Sequence, residues 1–233
     1  MNKAVDAEYE LSKYSSSDKV EFLPRFFKTG PGQYGEGDEF IGVVVPDQRI
    51  VAKKFVDLPL AEIQKLLKSK IHEHRLTALM ILVYQYKKAT DVQKGEIYKF
   101  YLSNTKLINN WDLVDLSARD IVGEYLVDRD RDILYRLARS SNLWEKRIAI
   151  VATWAFIRRD DHKDTLGIAE LLLGDTHDLI HKAVGWMLRE VGKRDRAVEE
   201  QFLKKHHKTM PRTALRYALE HFDDKKRKLY MAK

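Results

Sequence analysis

The chain has 233 residues, 44% hydrophobic and 33% charged, which suffices for one domain, or two small ones, with an apolar core. The absence of cysteine excludes disulfides and thiolate zinc sites and agrees with a reducing compartment. A net charge of +7 favours a polyanionic partner, either nucleic acid or an anionic membrane.

Residues 1–45 are interpreted as N-terminal helices followed by a loop. The first ten residues contain no apolar signal segment, so no secretory leader is predicted. Four glycines lie in TGPGQYGEGDEF (29–40), the clearest loop in the chain. No strand precedes these glycines and no Gly-Lys-Ser/Thr follows them, so a phosphate-binding loop is not indicated. The following FIGVVV is predicted to be an extended connector.

From residue 46 to residue 222 the pattern is helical throughout. Apolar residues recur at spacings of three and four in successive segments, which include KIHEHRLTALMILVYQYKK, NNWDLVDLSARDIVGEYLVD, NLWEKRIAIVATWAFIRR, THDLIHKAVGWMLREVGK and MPRTALRYALEHF. The longest apolar run, 148–157, is too short to span a bilayer. Residues 223–233 are a basic tail that we expect to be frayed. The sequence therefore predicts one all-α, cytoplasmic domain over 1–233, without a membrane partner.

Several of these helices begin with a basic residue at a recurring spacing. Arg75 and Arg147 are 72 residues apart, Arg147 and Lys182 are 35 apart, and Lys182 and Arg212 are 30 apart. The first gap corresponds to two periods of about 36, and the missing middle copy falls on Trp111. This spacing predicts a HEAT-like helical repeat solenoid over 46–222, with NNWDLVDLSARD as an aberrant copy.

The repeated basic residues indicate a binding surface for anions. A cation in the first turn opposes the helix dipole, whereas a helix N-terminus together with a cation binds phosphate well. Stacked repeats would place these cations in a row along a concave basic groove, which suits a nucleic-acid backbone. The alternative is that these long side chains simply extend into solvent.

The aberrant copy replaces the cation with Trp111 and adds Asp115 one turn later on the same helical face. A carboxylate in a phosphate groove can stabilise the positive charge that develops on a sugar when an N-glycosidic bond breaks. The aromatic faces of Trp111 and Trp186 would attract a cationic alkylated purine. The alternative is a core tryptophan beside a solvated or capping aspartate.

The sequences FIGVVVPDQRIVAKKF, NNWDLVDLSA, LWEKRIAIV and HKAVGWMLREVGK together resemble the DNA alkylation repair family of AlkD-like glycosylases, over about residues 20–222. The resemblance implies HEAT-like repeats and removal of positively charged N3- and N7-alkylated purines from DNA. It places the catalytic aspartate on Asp115, the aromatic partners on Trp111 and Trp186, and the lesion-side arginine on Arg147. Phe26 stands where some members carry Tyr, which keeps the aromatic face but loses the hydroxyl.

The expected partner is double-stranded DNA containing alkylated bases, bound by a monomer that is nucleoid-associated when on DNA. The residues assigned to DNA binding are Phe26, Arg75, Lys146, Lys182, Arg189 and Arg212. No lysine is placed against Asp115, so a monofunctional hydrolase is predicted rather than a lyase. His72 and His74 are two apart and His206 and His207 are adjacent, so each pair diverges on its helix, and no metal or other cofactor is expected.

Two other functions compete with the glycosylase. One is a non-catalytic HEAT-like protein that binds distorted duplex DNA, and the other is a protein-binding scaffold. The repeated cations argue against the scaffold, because a protein partner needs no such row. Asp115 separates the glycosylase from the DNA binder, because a carboxylate in the groove brings a pure binder no benefit.

Overall fold

The computed structural model describes residues 3–232, which are helical with no β-strand among them, so the all-α prediction is confirmed. The chain divides into two compact units, Met1–Ile121 and Val122–Lys233. No helix within residues 3–232 combines the length and the apolar character needed to cross a membrane. The single repeat domain and the solenoid with its basic groove remain predictions.

The first unit is built around one buried helix. Its α-helices are α1 (Ala4–Ser12), α2 (Ser17–Phe22), α3 (Val45–Lys54), α4 (Leu60–Leu67), α5 (His72–Lys88), α6 (Asp91–Ser103) and α7 (Trp111–Asp115). Helix α5 packs against α3, α4, α6 and α7. Its residues from 72 to 83 are all buried, which is typical of a helix surrounded by others.

The connector predicted at FIGVVV has neither helix nor strand from Phe40 to Val44, turns at Gly42 (φ 77°) and enters α3 at Val45, and α5 fixes it in place. Near its start, Glu39 forms an isolated parallel bridge with Ile71. The carboxylate of Glu73 then accepts hydrogen bonds from the backbone N–H groups of Ile41 (3.1 Å), Gly42 (2.9 Å) and Val43 (3.2 Å). The start of α5 therefore carries buried polar groups that hold the end of the glycine-rich loop.

The long helix predicted over residues 109–128 is interrupted. Helix α7 ends at Asp115, and residues Arg119–Gly123 form a π-helix. Between them, the hydroxyl of Ser117 donates to the carbonyl of Leu113 (2.5 Å) and contacts the hydroxyl of Tyr101 (2.9 Å). Serine hydroxyls that bond to the carbonyl four residues earlier bend helices, and single π-turns are frequent at functional sites.

The second unit is centred on α12. Its α-helices are α8 (Asp132–Ala138), α9 (Leu143–Ala152), α10 (Trp154–Ile157), α11 (Lys163–Leu172), α12 (Asp178–Arg194), α13 (Arg196–His206), α14 (Arg212–Ala218) and α15 (Asp224–Met231). Helix α12 lies between α9 and α14 and also packs against α11 and α13. The helix predicted over NLWEKRIAIVATWAFIRR is divided at Thr153, whose hydroxyl donates to the carbonyl of Ile150 (2.7 Å).

Two glycine contacts in the second unit recur at a fixed spacing. A Cβ on Gly123 would lie 2.2 Å from the carbonyl oxygen of Ala152, and one on Gly185 would lie 2.3 Å from that of Ala214. Each glycine precedes its partner by 29 residues, and the second contact follows the first by 62 residues. The same close helix approach thus occurs twice in this unit, 62 residues apart, while the repeat predicted at about 36 residues stays a prediction.

The basic tail, expected to be frayed, contains the ordered helix α15. Asp223 caps this helix by accepting a hydrogen bond from the Lys226 N–H (2.9 Å). Tyr230 is buried, with its ring edge-on to Phe222 and His207 at centroid distances of 6.0 and 5.4 Å. A capping aspartate, a buried tyrosine, the ion pair of Lys226 with Glu200 and the hydrogen bond from Arg212 to the Met231 carbonyl hold this charged segment as a helix.

Candidate active site

Helix α7 presents Trp111 and Asp115 together on its accessible face. The three residues between them, Asp112, Leu113 and Val114, are buried, whereas Trp111 and Asp115 are each half-buried. Residues four apart lie on the same side of a helix. A tryptophan and an aspartate share this side because it is the side that the protein core leaves uncovered.

Trp111 lies against a second aromatic ring that the sequence analysis missed. The ring of Phe27 stacks on it at a centroid distance of 5.4 Å and an interplanar angle of 18°. Phe27 is buried, whereas its neighbour Phe26 is 54% exposed and meets Phe22 edge-on at 5.2 Å. Phe26 therefore remains available for contact with DNA, and Phe27 supports the tryptophan.

The start of α7 is fixed by hydrogen bonds from Asn110 and Asp112. The side-chain oxygen of Asn110 accepts from the Trp111 N–H (2.8 Å), and its amide nitrogen donates to Asp38 (3.2 Å). One carboxylate oxygen of Asp112 accepts from the Leu113 N–H (2.8 Å), and the other lies 2.8 Å from Nε2 of His72. The helix that carries Trp111 is therefore tied to the glycine-rich loop and to α5.

Four buried charged residues meet at this point, and we name them the charge cluster: Asp38, His72, Arg75 and Asp112. Nδ1 of His72 lies 3.0 Å from Asp38, and Nη2 of Arg75 donates to Asp38 at 2.5 Å. Burial lowers the pKa of His72, but the charge and hydrogen bond of Asp112 and the hydrogen bond of Asp38 outweigh it and raise this pKa to about 9. Because both ring nitrogens face carboxylates, His72 is an imidazolium that donates to both.

Arg75 occupies a different environment from the one expected. The sequence predicts a phosphate contact, whereas the structure leaves the residue only 4% exposed. Its guanidinium donates to Asp38 and to the backbone carbonyls of Ser69 (3.0 Å) and Lys70 (3.1 Å). A phosphate cannot reach this group, so Arg75 does not join the residues that we propose for DNA binding.

The residues that follow Asp115 line a small positively charged cavity. It measures about 80 Å³ and lies within the first unit, with an apolar part formed by side chains that include Met80 and Leu116. Arg49, Lys87 and Arg119 contribute cations to its wall, and Arg119 pairs with Asp120 at 3.3 Å. The sequence analysis missed this set because the cations come from three separate segments of the chain.

In the second unit, three predicted cations lie at the starts of adjacent helices. Arg147, Lys182 and Arg212 are within the first five residues of α9, α12 and α14. Arg147 is buried and donates to the carbonyl of Leu179 in the first turn of α12 (2.5 Å), so the starts of α9 and α12 are neighbours. Helices α9, α12 and α14 are therefore neighbours, whereas the row of phosphate-binding cations stays a prediction.

The accessibility of the second-unit candidates differs. Lys182, whose side chain is 39% exposed, pairs with Asp178 at 2.8 Å, and Arg212 is exposed and donates to the Met231 carbonyl (2.6 Å). By contrast, the remaining two cations are largely covered and engaged in ion pairs, Lys146 with Asp175 and Arg189 with Glu220. Trp186 is half-buried and meets Trp154 edge-on at 5.4 Å.

Comparison with known proteins gives a family and a fold. The sequence profile of the DNA alkylation repair enzyme family matches residues 7–222, and no curated protein matches the chain. A solved structure from Enterococcus faecalis, described as a predicted DNA alkylation repair enzyme, is similar with a TM-score of 0.70. It shares 14% sequence identity over 90% of this chain and 97% of its own. The structure of smu.31 from Streptococcus mutans UA159 has a TM-score of 0.55 and 18% identity, over 77% of this chain and 93% of its own.

Proposed function

The chain belongs to the DNA alkylation repair enzyme family, and from this premise we propose that it is a monofunctional DNA glycosylase. In this proposal it hydrolyses the N-glycosidic bond of positively charged N3- and N7-alkylated purines in double-stranded DNA. The observation that carries the proposal is the accessible face of α7, where an aromatic ring and a carboxylate lie one turn apart.

The proposed chemistry assigns separate roles to these two side chains. When the glycosidic bond breaks, its electron pair moves to the cationic purine and neutralises it, while positive charge develops on the sugar. Asp115 stabilises this oxocarbenium ion or positions the water that attacks the sugar carbon. Trp111, supported by Phe27 at 5.4 Å, offers a face that attracts the cationic base before it leaves.

We propose that the other candidates bind the DNA around the lesion. Arg147 and Trp186 are assigned to the lesion side, following the family resemblance; Arg147 is as buried as Arg75 and would reach DNA only if its hydrogen bond to the Leu179 carbonyl opened. Four accessible cations are assigned to phosphates. They are Lys182 and Arg212 in the second unit, and Arg49 and Lys87 at the cavity wall in the first. Phe26, Lys146 and Arg189 complete the DNA-binding set, the last two through side chains whose present ion pairs would have to open.

The test of this function is release of free base from a duplex that carries one defined lesion. We expect release of a cationic N7-alkylated guanine and poor release of a neutral lesion such as O6-methylguanine. A cationic base leaves without protonation, whereas a neutral base also needs a general acid. Single-turnover assays on both duplexes measure the difference. Equal release of the two lesions would contradict the assigned chemistry.

The competing function is a non-catalytic protein that recognises distorted duplex DNA. The extended interaction of a basic protein with phosphates would serve that function equally well. The two functions differ in the outcome of the same assay, because a binder retains the lesion duplex intact. Tight binding without base release would favour the binder.

DNA affinity is expected to depend on salt through the accessible cations. Each phosphate contact contributes about −0.9 to the slope of log affinity against log salt concentration. Lys182→Ala and Arg212→Ala should therefore each make the slope shallower by about one, with similar losses on lesion and undamaged duplexes. Lys205→Ala is the matched control and should leave the slope unchanged. It removes an exposed lysine of α13 that pairs with Glu170 of α11. An affinity indifferent to salt would contradict phosphate binding altogether.

A further inference from the structure

We infer that His72 is a positioning residue, which holds α7 in place through Asp112 and thereby sets where Trp111 and Asp115 stand. The contacts of His72 with Asp38 and Asp112 are observed within the first unit alone. Their consequence for catalysis rests on the proposed glycosylase function. The experiments below separate the two.

The first reason is the way in which the imidazole ring joins two parts of the chain. Its Nδ1 faces Asp38 at the end of the glycine-rich loop (3.0 Å), and its Nε2 faces Asp112 in the first turn of α7 (2.8 Å). The ring is 2% exposed, so no solvent molecule replaces either contact at low cost. Asp112 is the residue that directly follows Trp111, so its position is inseparable from that of the tryptophan.

The second reason is a continuous aromatic stack between His72 and Trp111. Phe27 lies 4.6 Å from the His72 ring and 5.4 Å from the Trp111 ring. Phe40 stacks on His72 at 5.0 Å and 19°, and on Phe27 at 5.3 Å and 25°. A cation among aromatic faces is stabilised by them. The imidazolium therefore supports Trp111 both through the backbone of α7 and through the ring of Phe27.

The charges around His72 are balanced only while it is protonated. Asp38 faces it from the loop, Asp112 from α7 and Arg75 from its own helix, so two carboxylates meet two cations. Deprotonation removes one donor and leaves an excess negative charge in the buried cluster. Because the folded pKa is raised from 6.5 to about 9, the stabilisation is complete below pH 6.5 and is lost as the pH rises through about 9.

The experiment compares His72→Gln with wild type in the full-length protein, using a duplex with one cationic N7-alkylated guanine. We expect single-turnover base release to fall by roughly tenfold to 100-fold, the scale of a small misplacement of catalytic groups, while duplex affinity is unchanged. His74→Gln is the matched control, because His74 is buried on the same helix but contacts Ser69 (3.1 Å) outside the charge cluster. His72→Gln with wild-type release would overturn the inference.

A second measurement is independent of catalysis. In protein labelled with fluorinated tryptophan, the fluorine resonance of residue 111, assigned with Trp111→Phe, should shift as the pH rises through about 9. His72→Gln should abolish this titration and Asp112→Asn should move it to a lower pH, because Asp112 is the largest cause that raises the His72 pKa, whereas His74→Gln should leave it unchanged. If His72→Gln does not fold, the inference is tested by the titration of the residue 111 resonance in wild type and in Asp112→Asn. A wild type that releases no base refutes the glycosylase alone, whereas a Trp111 resonance that ignores pH overturns the positioning role.

Discussion

Asp115→Asn is expected to slow base release by roughly 100-fold or more, the scale typical of removing one preorganised charge-stabilising group. The amide is nearly the same size as the carboxylate, and Asp115 is half-buried at the end of α7, so the fold should persist. What is lost is the negative charge opposite the developing oxocarbenium ion. DNA affinity should hold or rise, because a charge of the same sign as phosphate leaves the binding surface.

The measurement is single-turnover excision from a duplex with one N7-alkylated guanine, together with the affinity for the same duplex. Asp120→Asn is the matched control, since Asp120 is also half-buried, follows five residues later in the same unit and pairs with Arg119. It should release base at the wild-type rate. If Asp115→Asn also cleaves at that rate, the catalytic assignment is wrong and the DNA binder becomes the better function.

The parts of this protein that follow from the sequence are those fixed by local spacing. Apolar residues three and four apart predict the helices because each helix buries one side of itself. The pairing of Trp111 with Asp115 follows from a separation of four residues within a single turn, and the structure confirms that both lie on the accessible side of α7. Arg147, Lys182 and Arg212 stand near helix starts, as their spacing predicts, and the three helices that carry them pack as neighbours.

The parts that the sequence does not reveal depend on partners far away in the chain. Arg75 has the pattern of a phosphate ligand, but its fate is decided by Asp38, which lies 37 residues earlier in a loop with no periodicity. Whether Phe26 or Phe27 supports Trp111 depends on where the short helix Leu23–Phe26 ends, and the two residues are chemically identical. The break after α7 is a local exception, since the hydroxyl of Ser117 there bonds to the Leu113 carbonyl four residues earlier and contacts the hydroxyl of Tyr101.

Asp38 also gives the glycine-rich loop a structural role, which leads to the largest expected effect on stability. Asp38→Ala should lower the free energy of unfolding by about 3–5 kcal/mol, the range for removing one partner of a buried ion pair. The carboxylate is 5% exposed and accepts from Arg75 (2.5 Å), His72 (3.0 Å) and Asn110 (3.2 Å). Its loss leaves His72 with Asp112 alone and leaves Arg75 with the backbone carbonyls of Ser69 and Lys70, without a carboxylate partner among the described residues.

Urea unfolding of wild type and variants measures this loss. Asp160→Asn is the matched control for Asp38→Asn, because Asp160 forms a bidentate pair with Arg194 (2.7 and 2.9 Å) that is exposed to solvent and should contribute little, and Asn tolerates the positive φ of this residue (58°). Asp38→Asn should lose less than Asp38→Ala, since an amide oxygen still accepts one hydrogen bond. The difference in the free energy of unfolding between wild type and Asp38→Ala should shrink as the pH rises towards 9. In the variant, deprotonation of His72 then removes one of the two unbalanced cations. In wild type, the same rise in pH removes the stabilisation that protonated His72 provides. Equal losses for Asp38→Asn and Asp160→Asn would show that the charge cluster does not hold the loop to α5 and α7.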